Sequence, residues 1–236
     1  MAIRLLPFRQ YNETDVINLY KVDPTGTNSM ATPFINGGND AGVLVKVVLA
    51  NFDSDPVGYV TDSYLGKTDY PFIGRDQYPT VPLTVNEAAS GDAGVLGVTL
   101  RQTLTYDENG EKLLYYPQKA IEMQAVLTGQ AVPVLTKGVI TLDGDTAFTT
   151  EPTAIGNYVF PSSTEGGKFE AQSYAGRSAH VSGSSYADSP VMNIGTVIAS
   201  GNRVNRGVSP DYFAGASVGT GDATSRGNYY VIRLDV

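Results

Sequence analysis

The sequence contains no cysteine, no tryptophan and a single histidine, and only 17% of its residues are charged. Without thiols it can form neither a disulfide framework nor a thiolate zinc site, so cohesion must come from apolar packing or from partner chains. With His180 alone, any histidine-dependent triad or multi-histidine metal site would have to be built around one residue. Its setting, Gly-Arg-Ser-Ala-His-Val-Ser-Gly, offers serines but no Gly-x-Ser-x-Gly elbow. A loop or strand-edge histidine is the simpler reading. Long apolar runs are also missing. The run at Ile3, Leu5 and Leu6 is broken by Pro7 and Arg9, too short for a signal-peptide core, and no later segment approaches the length of a membrane helix. The expectation is a soluble protein with no visible export signal and no membrane partner.

Basic charge is scarce as well, and the net charge is −8. The deficit is uneven: residues 1–150 carry 10 basic and 17 acidic side chains, residues 151–236 carry 6 and 7. A surface of this sign repels phosphate backbones, which argues against a nucleic-acid partner. What is abundant is Gly (26), Pro (13) and Tyr (15), the composition of short strands joined by tight turns rather than of long helices. The fold class read from this is all-β, a barrel or sandwich with long loops. The chain is long enough for one large β domain or two lobes.

Residues 1–24 read as an extended N-terminal arm, because Ile3, Leu5, Leu6, Phe8, Tyr11, Val16, Ile17 and Leu19 are too apolar for a free tail. They would lie on the protein's own core or on a neighbouring chain. If they reach a neighbour, deletion of residues 2–20 should leave the fold intact. Residues 25–42 read as a loop, and Gly42 to Leu49 as a strand buried on both faces. Residues 59–82, dense in Tyr, Gly, Pro and Asp, read as an ordered loop clamped by Tyr64, Tyr70, Phe72 and Tyr78.

The clearest alternation sets Leu96, Val98, Leu100, Leu104 and Tyr106 against Thr99, Arg101, Thr103 and Thr105, a single long strand with one face packed. Asn109-Gly110 then predicts a hairpin returning through Leu113 to Tyr116. Pro117 opens a short helix whose stripe runs to Leu127 and stops at Gly129. Val132 to Leu142 reads as one strand ending in a tight turn at Asp143-Gly144. A lobe boundary is expected between about 143 and 155, giving a first β lobe over 25–150 and a second over 151–236, with a single continuous domain as the alternative. Strands are expected at 157–161, 168–173, 194–200 and 229–236, and a long loop at 201–228 carrying Tyr212 and Phe213.

The carboxylate pairs Asp53/Asp55, Asp107/Glu108/Glu111 and Asp143/Asp145 could serve acid–base chemistry or a cation, but glycoside hydrolysis needs an aromatic-lined cleft and calcium needs a completed loop. Turn-forming aspartates that bond their own backbone explain them without chemistry. Gly66-Lys-Thr68 lacks the earlier glycine of a phosphate loop. The expectation is therefore a non-enzymatic protein with no cofactor and no metal.

The phrases Tyr64-Leu-Gly-Lys-Thr-Asp-Tyr-Pro-Phe72, Leu96-Gly-Val-Thr-Leu-Arg-Gln-Thr103, Tyr106 to Lys119, and Gln130-Ala-Val-Pro-Val-Leu-Thr-Lys-Gly-Val-Ile-Thr-Leu142 resemble virion structural proteins of tailed phages. With Ile155-Gly-Asn-Tyr-Val-Phe-Pro-Ser162 and Ile194-Gly-Thr-Val-Ile198, the layout is similar to the small β-barrel (β-tulip) head decoration proteins, particularly those of phages of marine cyanobacteria. The resemblance covers roughly residues 40–236. It implies a capsid decoration (cement) protein on the outer head surface, bridging major capsid protein subunits, acting as a homo-oligomer, with a trimer favoured. The contact residues it suggests are Ile3, Leu5, Leu6, Phe8 and Tyr11 of the arm, Tyr64, Tyr70, Phe72 and Tyr78 of the first loop, and Tyr212 and Phe213 of the second. The alternatives are a tail, neck or fibre component, or a carbohydrate-binding adhesion module that stacks sugars on its tyrosines.

Overall fold

The computed structural model describes residues 4–22, 40–49, 58–59, 79–92, 94–107, 109–111, 113–173, 193–202 and 228–236. They form seventeen strands: β1 Leu5–Gln10, β2 Val16–Ile17, β3 Lys21–Val22, β4 Leu44–Leu49, β5 Gly58–Tyr59, β6 Pro79–Thr80, β7 Thr84–Glu87, β8 Val95–Thr99, β9 Gln102–Leu104, β10 Ala125–Leu127, β11 Val134–Leu135, β12 Lys137–Asp143, β13 Phe148–Thr150, β14 Tyr158–Pro161, β15 Phe169–Gln172, β16 Gly195–Asn202 and β17 Asn228–Asp235. The only α-helices among the described residues are short, α1 at Pro117–Glu122 and α2 at Gly144–Ala147. The chain is thus mostly β, as its composition implies.

Two larger sheets dominate. One has seven strands in the order β1-β12-β17-β16-β14-β15-β13, the other six in the order β2-β11-β8-β4-β7-β3. The pairs β9/β10 and β5/β6 stand apart from them. The large sheets share one apolar core: Ile140, Leu142, Phe148, Val159, Phe169, Tyr230, Ile232 and Leu234 come from the first, Leu44, Val98 and Leu135 from the second. Facing sheets that interleave their inner side chains make a sandwich, and each fully buried Leu, Ile or Phe contributes about 1.5–3 kcal/mol by leaving water.

Strand β17 carries the alternation expected of it. Tyr230, Ile232 and Leu234 are buried while Arg233 and Asp235 are exposed, so the strand lies with one face on the core, between β12 and β16. Strand β4 begins buried on both faces, because Leu44 enters the shared core and Val45 packs with Val22, Val43, Val85, Val132 and Val134 on the other side of the sheet. Its far end opens to solvent at Val48.

Several expectations need correction. The long strand over 96–106 is broken: β8 ends at Thr99, the chain bends at Leu100-Arg101, and β9 pairs in parallel with β10 instead. Within β8 a bulge at Gly97 sends Leu96 and Val98 to opposite sides of the sheet, because an added residue reverses the two-residue side-chain period. The turn after Asp107 forms, closed by the Gly110 amide on the Asp107 carbonyl (3.1 Å), but the return leg coils into a 3-10 turn at Leu113–Tyr115 after two residues. Helix α1 ends at Glu122, since Gln124 takes a left-handed conformation (φ 51°) that a helix cannot continue through.

The segment 132–142 is two strands in two sheets. β11 belongs to the six-stranded sheet and β12 to the seven-stranded one, with Thr136 at the crossing. The turn at Asp143-Gly144 is a one-turn helix, because Asp143 Oδ2 accepts from the Thr146 amide (3.2 Å) and hydroxyl (2.8 Å) and caps it.

The boundary placed between 143 and 155 falls inside the shared core. Strand β12, before it, pairs along its whole length with β17, after it, and β1 of the arm segment pairs with β12. The seven-stranded sheet therefore draws strands from residues 1–24, 25–150 and 151–236 alike. Among the described residues no helix is long and apolar enough to cross a membrane.

Candidate functional site

Strand β1 is an edge of the seven-stranded sheet among the described residues. Its register against β12 pairs Leu5 with Leu142 and Arg9 with Ile140, so the stretch from 5 to 9 spans what two residues span on the partner. Pro7 sits in this bulge, where its missing amide costs no ladder bond. The distortion divides the apolar residues of the segment. Leu5 and Leu6 are turned inward, each 8% exposed, while Phe8 stands 80% exposed. Tyr11 follows, 38% exposed, with its Cβ against Gly138, where any side chain would collide.

Of the contact residues suggested by the sequence, Phe8 and Tyr11 are therefore at the surface, and Leu5 and Leu6 are in the protein's own interior. Ile3, Tyr64, Tyr70, Phe72, Tyr78, Tyr212 and Phe213 lie outside the described residues, as do His180, Asp53, Asp55 and Gly66 to Thr68. Deleting residues 2–20 would remove strands β1 and β2 and part of the core, so the expectation that the fold survives that deletion is withdrawn.

Beside β1 opens a cleft of about 660 Å³ lined by Arg9, Tyr11, Glu13, Val16, Asn18, Leu100, Arg101, Gln124 and Pro133. It lies where the N-terminal segment leaves the edge of one sheet and, through a 3-10 turn at Glu13–Asp15, joins the edge of the other as β2. The bend after β8 supplies Arg101, and the left-handed residue after α1 supplies Gln124. The Nε of Arg9 donates to the Leu6 carbonyl (3.2 Å), which orients its guanidinium. The sequence reading put Arg101 on a solvent face but had no means of setting it in the same cleft as Arg9.

A second exposed group was also missed. Tyr115, Tyr116 and Ile121 are surface-exposed around α1, whose inner side rests Ala120 against Leu104, Leu113 and Ala125. The sequence hint was Pro117, which fixes the helix start and so leaves Tyr115 and Tyr116 ahead of the buried stripe.

Two carboxylates are held by structural partners. Asp107 accepts the amides of Asn109 (2.8 Å) and Glu111 (2.7 Å) on Oδ1 and the Lys119 ammonium on Oδ2. The Lys119 bond, with help from those amides, holds this carboxyl below the usual aspartate range. Glu151 accepts from Asn228 Nδ2 (2.9 Å) and from the Tyr230 hydroxyl (2.7 Å). Burial and the Glu151 bond push that hydroxyl up to about 12, so it serves as a proton donor and not as a base.

Glu87 is buried near Arg4, itself buried, and burial raises the Glu87 carboxyl while the guanidinium pulls it back. Burial likewise lowers Arg4, against the attraction of Asp40, Glu87 and Glu165. Arg4 Nη1 reaches the Gly167 carbonyl at 3.4 Å. Among the described residues no group of three or more His, Cys, Asp or Glu side chains is placed to hold a metal ion.

No protein-family model matches the chain, and neither a curated protein nor a solved structure matches it.

Proposed function

We propose that this chain is a capsid decoration protein of a tailed-phage head, bound to the outer surface and bridging major capsid protein subunits. The single observation that best supports a protein-binding role is Phe8, a large apolar side chain 80% exposed on an edge strand whose neighbours Leu5 and Leu6 are buried. The paired strand fixes the backbone that carries the ring, so only side-chain freedom is lost when a partner covers it. Tyr115, Tyr116 and Ile121 add a second exposed apolar group on the helical insertion. Two separate grips suit a protein that links two neighbours, and a homotrimer would multiply them, so modest affinity at each is enough on a repeating lattice. The strand and turn phrases that resemble head decoration proteins give the reading its particular partner.

Co-sedimentation tests it. Purified chain mixed with heads assembled from the major capsid protein of the same virus should pellet to saturation, and Phe8→Ser should lower occupancy while thermal stability stays unchanged. Failure of the wild-type chain to bind heads refutes the proposal.

A further inference from the structure

We propose that the cleft beside β1 binds a carboxylate-bearing sugar unit, with Arg9 and Arg101 holding the carboxylate and Glu13, Asn18 and Gln124 engaging hydroxyls. The cleft volume of about 660 Å³ falls within the range of small-molecule sites, roughly 300–1,000 Å³. Two of its lining residues are guanidiniums, in a chain whose net charge is −8. Among the described residues neither Arg9 nor Arg101 forms an ion pair. Guanidiniums are weakly hydrated and match a carboxylate with paired donors, so such a pair selects for an anion.

The remaining polar lining decides which anion. Glu13 stands in the same cleft and would repel a ligand that offered only negative charge, such as an acidic peptide. A carboxylate that accepts bonds from hydroxyls is instead an asset toward a sugar. Asn18 and Gln124 carry both donors and acceptors, which suits hydroxyls that are both. Tyr11, with Val16, Leu100 and Pro133, gives the apolar wall on which a sugar ring packs. This site is separate in chemistry from the grip of Phe8, and its failure leaves the capsid proposal standing.

The test is titration of the full chain with glucuronate, glucose, acetate and a hexaglutamate peptide, followed by calorimetry and by the side-chain Nε resonances of the arginines. Glucuronate should bind and shift the Arg9 and Arg101 signals, with glucose and acetate each weaker by about tenfold or more, the loss expected when a charged hydrogen bond or the hydroxyl set is missing. Arg101→Gln, an exposed position, should weaken glucuronate by about tenfold with unchanged circular dichroism. Equal binding of glucose and glucuronate, binding of acetate as tight as glucuronate, tighter binding of the peptide, or no glucuronate binding would each overturn the proposal. If Arg101→Gln does not fold, the wild-type ligand series decides alone.

Discussion

Thr136 donates both its amide (2.9 Å) and its hydroxyl (3.0 Å) to the carbonyl of Asp15, and its own carbonyl accepts the amide of Val236 (3.1 Å). Asp15 closes the turn that carries the N-terminal segment from one sheet to the other, and Thr136 is where the chain crosses between the same sheets a second time. Two crossings and Val236 are thus pinned at one point.

That junction predicts a modest, specific loss. Thr136→Val keeps the amide bond but removes the hydroxyl bond, and should lower stability by about 1 kcal/mol in denaturant unfolding. Thr136→Ser, which keeps the hydroxyl, should stay closer to wild type.

Gly97 is required by space as much as by conformation. A Cβ there would overlap the Leu135 carbonyl and press on Val134 Cγ1, where β8 and β11 meet at the bulge. Gly97→Ala should cost about 3 kcal/mol, since the obstruction is backbone in a packed sheet and cannot swing aside. A melting temperature equal to that of the wild type would contradict the bulge.

The sequence disclosed its strands better than its sheets. Alternation in β17 was plain because one face meets the core and the other water along eight residues. The run 132–142 read as one strand because periodicity reports which residues pack and not which sheet they join, and Thr136 carries no turn signal. Leu96 to Tyr106 misled for the related reason that a bulge leaves the apolar count intact while reversing its phase. For the candidate site, Phe8 and Tyr11 were visible as apolar residues in a broken run, but which of the four described arm residues would stay outside depended on the bulge around Pro7. The pairing of Arg9 with Arg101 across a cleft is a product of tertiary structure alone.

Arg4 should govern an acid-reversible weakness. Arg4→Met leaves Asp40 and Glu87 buried without that guanidinium, which should cost about 3–5 kcal/mol near neutral pH. In the variant the Glu87 carboxyl rises further above its unfolded value, so the folded state binds a proton that the unfolded state releases. Stability must then increase as pH falls through the raised folded value. Urea midpoints at about pH 7.5 and pH 5 should show the gap to wild type narrowing at the lower pH.

Asp107 has the opposite sign. Its carboxyl is held low chiefly by Lys119, so its contribution to stability is fully present above the unfolded aspartate value and is lost as pH falls through the folded one. Asp107→Asn should be less stable than wild type at neutral pH, and the two should converge in acid below about pH 4. A constant difference across that range would mean that the Lys119 pair contributes nothing.

In the proposed function, the face of β1 around Phe8 grips a capsid neighbour. Electron cryomicroscopy of intact particles containing this chain measures that directly. The expected result is density for the chain on the outer head surface, with Phe8 buried against a major capsid subunit. Density on the tail, or on the head with Phe8 open to solvent, would contradict it.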